Sequence, residues 1–364
     1  NSKYLIAKVG KNVRYPYFYN SVVSKRISDE LELDASEPYI EIKEIYKYDD
    51  NTKRFDTTAR WTIYGERKGD QLGYSVAINA SGNIVATGSP GYDAQGGNIG
   101  EQGVDGTLTG NTHGNVVVYP LDDGNLGVLT AEDHRHRRGE RLVGEYEADR
   151  AGKGQMTAIN SVGDIVAVGA SQWHQAYKGH VRIYKWELHA LGAWGKMGDD
   201  IDGEADNDYS GSGLALNGNG YVVAIGAVAN DGGGNEHGGH VRIYKWELQE
   251  EGAWGQMGND IVGPNDARLG TSVSINAAGT VVAMGLDAGS PNSSTKSGEV
   301  WVYSYSETHN TWNQIGDIIL GETAKDDFGI SVSLDREGSK IAIGSYHYTE
   351  DFFEQGRVAI YEFR

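Results

Sequence analysis

SGSGLALNGNGYVVAIGAV, residues 210–228, and LGTSVSINAAGTVVAMGLD, residues 269–287, are two copies of one pattern. A leading glycine (Gly211, Gly270) is followed nine residues later by a second (Gly220, Gly279) and six residues after that by a third (Gly226, Gly285). Between the first two glycines, apolar and polar residues alternate. Just before the third, the chain is continuously apolar and β-branched. Alternation at period two marks a half-buried strand, and an unbroken apolar run marks a strand covered on both faces. The second glycine falls between them, where a tight hairpin needs a residue that tolerates positive φ.

The same triplet recurs in 71–90 (Gly73, Gly82, Gly88), 153–171 (Gly154, Gly163, Gly169) and 328–346 (Gly329, Gly338, Gly344). Leading glycines are spaced by 81, 57, 59 and 59 residues, so the first repeat carries an insertion, absorbed in 91–111 and 131–140. Each repeat continues with a third strand, GHVRIYKW at 179–186 and again at 239–246, and a fourth, AWGKMGDDIDG at 193–203 or AWGQMGNDIVG at 253–263. Four strands in 40–60 residues are the dimensions of a propeller blade. The expected fold is all-β, a single β-propeller of four-stranded blades.

At these residues the chain resembles the FG-GAP repeats of integrin α-subunit propellers. Phe328-Gly329 is a literal FG, Leu72-Gly73 and Leu269-Gly270 are variants, and Gly88-Ser89-Pro90 stands for the GAP element. The resemblance covers 67–364, with 1–66 left as an N-terminal segment. It implies a propeller that binds or adheres, and in that family the loop between first and second strands carries calcium. Here those loops read NASGN, NSVGD, NGNGY, NAAGT and DREGS, too poor in carboxylate for an ion that takes six to eight oxygens. No cofactor is therefore expected, and thermal unfolding is expected to be insensitive to a chelator.

The C-terminus stops after a third strand, GRVAIYEFR, so ring closure must draw on the N-terminal segment. In one reading, 61–65 completes the last blade and the ring has five blades. In the other, 1–66 forms a degenerate sixth, with 3–10 as its buried strand. The segment length favours six, within a range of five to seven, and leaves 11–38 as an arm.

Composition limits the function. Lys and Arg number 32 against 51 Asp and Glu, a net charge of −19 that repels nucleic acid. The absence of cysteine excludes disulfides and thiolate chemistry, and no apolar run is long enough to span a membrane. No nucleophile elbow, P-loop or dinucleotide fingerprint is present. The function expected is a non-catalytic module, not an enzyme, that binds a protein or glycan partner on an extracellular, cell or virion surface. The alternatives are a structural subunit of a larger assembly, such as a viral or algal surface, and a carbohydrate-active enzyme with its site at the central funnel.

Candidate residues follow from where the repeat breaks. The arm supplies Tyr15, Tyr17, Phe18 and Tyr19, and the insertion supplies a basic cluster with Arg135, Arg137 and Arg138, both suited to partner contact. The acidic loop 199–208 offers Asp202, Asp206 and Asp208 as weak metal candidates beside a solvated-connection reading. His174, His180, His237 and His240 lie in the second-to-third-strand loops of adjacent repeats, where they could form a site on one face of the ring, but no H-x-H or HExxH spacing supports zinc. His180 and His240, like Trp194, Trp254 and Trp312, recur at fixed repeat positions and are read as packing. Asn79 and Asn292 lie in glycosylation sequons, Asn79 within a tight turn.

Overall fold

The continuously apolar strands form the centre of each repeat. The structure, a computed structural model, describes residues 48–49, 54–55, 61–65, 69–93, 112–121, 127–129, 137–146, 149–170, 177–187, 192–247, 252–286, 297–322, 326–348 and 356–363. Ile84–Ser89, Ile165–Ala170 and Val222–Ala227 are buried along their whole length, as is Val281–Leu286 after its first residue. Ile165–Ala170 and Val222–Ala227 each pack one face on the preceding repeat and the other on the following one, at roughly 1.5–3 kcal/mol per large apolar side chain.

Blade one contains Ser75–Ile78, Ile84–Ser89, Asn115–Pro120 and Leu142–Val143. Blade two contains Thr157–Ile159, Ile165–Ala170, His180–Trp186 and Trp194–Lys196. Blade three contains Ser210–Leu216, Val222–Ala227, His240–Glu247 and Ala253–Gln256. Blade four contains Leu269–Ile275, Val281–Leu286, Glu299–Ser306 and Thr311–Gln314. Blade five shows three strands, Ser331–Leu334, Lys340–Ser345 and Arg357–Glu362. All pair as antiparallel meanders, and the first strand of each blade lies against the first strand of the next. The chain is a β-propeller, with five blades among the described residues.

The expected fourth strand is two pieces. In blades two to four it breaks at a turn, and Ile201–Asp202, Ile261–Val262 and Ile319–Leu320 pair separately with the start of the third strand. Glycines 198 and 258 sit at this break with φ of 69° and 71°. Trp194, Trp254 and Trp312 act between blades: their indole N–H groups donate to the carbonyls of Arg138, Met197 and Met257 in the preceding blade, at 2.6, 2.9 and 2.8 Å.

The triplet glycines mark close approach. A Cβ on Gly226 would lie 2.2 Å from the carbonyl oxygen of Gly270, and one on Gly285 would lie 2.0 Å from that of Gly329. Third and leading glycines of successive blades thus press backbone on backbone. In blade two the partner of Gly88 is Gly152, not Gly154. Gly152 donates its N–H to Gly169, as Gly73 does to Gly88, whereas a Cβ on Gly154 would meet nothing within 4 Å. The nine-residue spacing had selected the wrong glycine, because blade two carries two extra residues before its first strand.

The turns between first and second strands form a row along one face. Asn79, Asn160, Asn217 and Asn276 are buried, and each accepts backbone N–H bonds that close its own turn. Their side-chain amides donate to the next blade's turn, at Val162, Asn219, Ala277 and Glu337. The corresponding residue of blade five is Asp335, which closes its turn in the same way. The sequon asparagine Asn79 is therefore only 4% exposed and committed to this row.

Trp61–Ile63 pairs in parallel with Gly127–Leu129, and Ile63 packs with Leu72, Val85 and Leu121 on the face of blade one that turns away from blade two. That corrects the reading in which 61–65 completes the last blade. Blade five keeps an uncovered apolar face, with Val358 55% and Ile360 67% exposed. Arg135, the arm residues Tyr15, Tyr17, Phe18 and Tyr19, and the sequon residue Asn292 lie outside the described residues. Among the described residues, no helix is long and apolar enough to cross a membrane.

Candidate functional site

The meander places the second-to-third-strand loops and the connections between blades on the face opposite the turn row. Two clusters of ionisable groups lie on this loop face. The first joins neighbouring blades. A glutamate follows the last short strand of blades one, two and four and reaches the third strand of the next blade. Glu145 meets Arg182, Glu204 meets Arg242 at 3.4 Å, and Glu322 meets Arg357 at 2.6 Å.

Blades two and three differ within this frame. In blade two Arg182 also binds Asp200 at 2.9 Å, and Lys196 reaches the other oxygen of Asp200 at 2.6 Å. In blade three Gln256 replaces Lys196 at the same register position, opposite the tyrosine of the third strand. Arg242 donates instead to the carbonyl of Asp202, at 2.8 Å. His240, 1% exposed, then faces Glu204 Oε2 at 3.8 Å and Asp260 Oδ2 at 4.0 Å through a buried Nδ1 that makes no hydrogen bond among the described residues. Burial, and then the Arg242 charge, push the His240 pKa down to about 4, so the imidazole is neutral at physiological pH.

The second cluster sits where the inner strands begin. Gln71, Arg150, Tyr209, Arg268 and Asp327 occupy one equivalent position, two residues before the glycine that leads each blade, with φ between 50° and 57°. Non-glycine residues held in the left-handed region cost about 1–3 kcal/mol each and concentrate at functional sites. The turn repeats in all five blades while its side chain varies. Gln155 of blade two donates to the carbonyl of Ile330 in blade five at 3.0 Å, so the entrances of non-adjacent blades converge.

Around Arg150 lie Tyr74, Tyr177 and Lys153, within electrostatic reach. The rings of Tyr177 and Tyr209 are 5.3 Å apart, and Arg268 acts on Tyr209. Burial, reinforced by Arg150, lowers the Lys153 pKa to about 8. In blade five Asp327 pairs with His347 at 2.7 Å. Arginines, a lysine that is partly neutral near pH 8 and neighbouring tyrosines are groups that can hold an anion and move a proton.

The structure distributes the sequence candidates differently. Asp208 is buried and accepts from the backbone of Glu204 and Ala205 and from Asn230, so it shapes the acidic loop. Asp202 and Asp206 are exposed and do not join it in a ligand set. The loop residue that does reach a cluster is Glu204. Arg138 packs between blades: its guanidinium lies 4.7 Å from the Trp186 ring centre and donates to the carbonyl of Gly163. Arg137 is paired with Glu140 at 3.4 Å. Neither loop-face cluster was singled out from sequence. The signal available was the change from Lys196 to Gln256 at a repeat position whose histidine is retained.

No protein-family model matches the chain, and no curated protein matches it in sequence. Solved structures with a similar chain path include a putative 6-phosphogluconolactonase from Bacteroides uniformis (10% identity, TM-score 0.49, covering 87% of this chain and 73% of that one). They also include the periplasmic gluconolactonase of Pseudomonas aeruginosa (12%, 0.48, 82% and 70%) and an oligogalacturonate lyase from Vibrio parahaemolyticus (11%, 0.46, 88% and 71%). All three carry enzyme names. The expectation of a non-catalytic adhesion module that is not an enzyme is corrected to this extent: the solved structures of similar chain path carry enzyme names, and the likeness shows the fold alone. At these identities and TM-scores the likeness transfers neither substrate nor residues.

Proposed function

We propose that the chain is a carbohydrate-active enzyme whose site is the inner-strand entrance on the loop face, and whose substrate is a sugar bearing a carboxylate. The observation that carries this reading is that Arg150, with Lys153, Tyr74 and Tyr177 around it, is joined to Arg268 through Tyr209, whose ring lies 5.3 Å from that of Tyr177, on a chain of net charge −19. Arginine forks match a carboxylate in bidentate fashion, and tyrosines offer a flat apolar face with a polar tip to sugar rings. Lys153 serves as the general base, since a pKa of about 8 leaves a useful neutral fraction near neutral pH. Such a substrate suits the extracellular or surface setting expected from the sequence. The decisive experiment is turnover of polyuronates and sugar-acid lactones by wild type, Lys153→Met and Arg268→Ala. Lys153→Met is expected to lose at least about 100-fold in kcat, and Arg268→Ala to raise KM. Unchanged turnover in Lys153→Met would remove Lys153 and this site from consideration.

The ring, in the same reading, closes with six blades, the sixth drawing on residues 1–66. Ile63 against the free face of blade one and the uncovered Val358 and Ile360 of blade five support this. The FG-GAP kinship belongs to the same proposal and rests on the glycine pattern. Removing residues 1–47 should lower the unfolding midpoint and expose dye-binding apolar surface; an unchanged midpoint would argue for five.

A further inference from the structure

We propose that Glu204, His240 and Asp260 form a binding site for a first-row divalent cation, with Zn²⁺ the best-matched ion. Their donor atoms all lie within 4.8 Å of one another. Each carboxylate has one oxygen already engaged and the other turned to the imidazole. Asp260 Oδ1 accepts from Gln256 at 2.6 Å while Oδ2 faces His240, and Glu204 Oε1 lies 3.4 Å from Arg242 while Oε2 faces His240. Groups so oriented from behind are what hold metal ligands in place. The second, independent observation is the buried Nδ1 of His240, directed at the two carboxylates without a hydrogen bond among the described residues. An unpaired polar atom at 1% exposure is costly unless something occupies its lone pair or accepts its proton.

The donor set selects the ion. One imidazole nitrogen and two carboxylate oxygens suit zinc and its neighbours in the first transition row, whereas calcium takes six to eight oxygens. Zinc bonds of about 2.0–2.2 Å space tetrahedral ligands roughly 3.4 Å apart, so small side-chain rotations close the set. Glu204 is exposed, which leaves a fourth position open to water or a ligand. Blade two is the built-in control. There His180 occupies the equivalent position, but Arg182 and Lys196 saturate Asp200, and no ligand set forms among the described residues.

The test is titration of metal-free full-length protein with Zn²⁺ alone, followed by calorimetry and by the thermal midpoint. Wild type should take up one ion at this site and melt higher with it. Glu204→Gln and Asp260→Asn, both at solvent-accessible positions, should weaken binding by at least about tenfold with folding intact, and His240→Gln and Gln256→Lys should abolish it. His180→Gln should bind as wild type does. Absence of Zn²⁺ uptake, or equal uptake by Asp260→Asn and His240→Gln, would overturn the proposal. Because the readout is binding and not turnover, it stands or falls separately from the enzymatic reading.

Discussion

Blades two and three share the sequence GHVRIYKW and nearly share AWG(K/Q)MG, yet they end in different chemistry. In blade two, Arg182 and Lys196 neutralise Asp200, and Arg182 also holds Glu145. In blade three, one lysine has become glutamine, the arginine has turned to a backbone carbonyl, and a buried histidine faces two carboxylates. The scaffold is common to both; two cations, Arg182 and Lys196, occupy Asp200 in blade two, whereas Gln256 and the Arg242 that turns to the Asp202 carbonyl leave Asp260 facing a histidine in blade three. Repeats of this kind hold geometry constant while charge varies.

The most severe break of the comparison is in the backbone. Gly226→Val places a side chain against the Gly270 carbonyl and should cost about 4 kcal/mol or more, or abolish soluble expression. Gly169→Val, whose Cβ would lie 2.7 Å from the Gly211 carbonyl, should be milder; urea midpoints of the two would rank the inter-blade gaps. Equal losses would show that the two interfaces are alike.

Acid should come next. His180 is held neutral by burial first and by Arg182 second, with its pKa lowered to about 4 from 6.5. The unfolded chain then binds the extra proton between pH 6.5 and 4, so stability is complete above 6.5 and falls as pH drops through that window. The loss is up to about 3 kcal/mol. His180→Gln should flatten that part of the stability–pH curve, and an unchanged slope would place the acid sensitivity elsewhere.

Arg182→Ala takes the cation from Glu145 of blade one and leaves Asp200 of blade two with Lys196 alone; it should cost about 2 kcal/mol, discounted because Glu145 is 45% exposed. Lys196→Gln, which gives blade two the residue of blade three, should cost under about 1 kcal/mol because Lys196 is 42% exposed. Zinc affinity gained by the variant would show that Lys196 alone closes the blade-two site, and no gain would assign the block to Arg182, which still holds Asp200.

What the sequence disclosed follows from the range of each interaction. Glycines 226 and 270 lie in a pattern because blades one to four each make the same backbone contact with the blade that follows, and repetition converts a long-range contact into a periodic signal. The apolar strands were legible for the same reason. The blade-two frame was misread at Gly154 because two extra residues shift spacing without altering composition. The ligand set of Glu204, His240 and Asp260 was not legible, since its members come from an inter-blade connection, the head of a third strand and a turn. No short motif joins them, and the carboxylates that looked like a motif, Asp202, Asp206 and Asp208, serve the loop or solvent. The entrance residues Arg150, Tyr209 and Arg268 were equally hidden, because left-handed turns at non-glycine residues leave no trace in the pattern.

The row of asparagines on the turn face has a direction. Asn79, Asn160, Asn217 and Asn276 each donate to a carbonyl in the blade that follows in sequence. During synthesis each of blades one to four therefore emerges with one buried amide still lacking its inter-blade acceptor, and that acceptor leaves the ribosome about 60 to 80 residues later. The propeller is assembled like a zip drawn one way, every tooth waiting for the next. At Asp335, the equivalent residue of blade five, stands an acid, which has no N–H to offer.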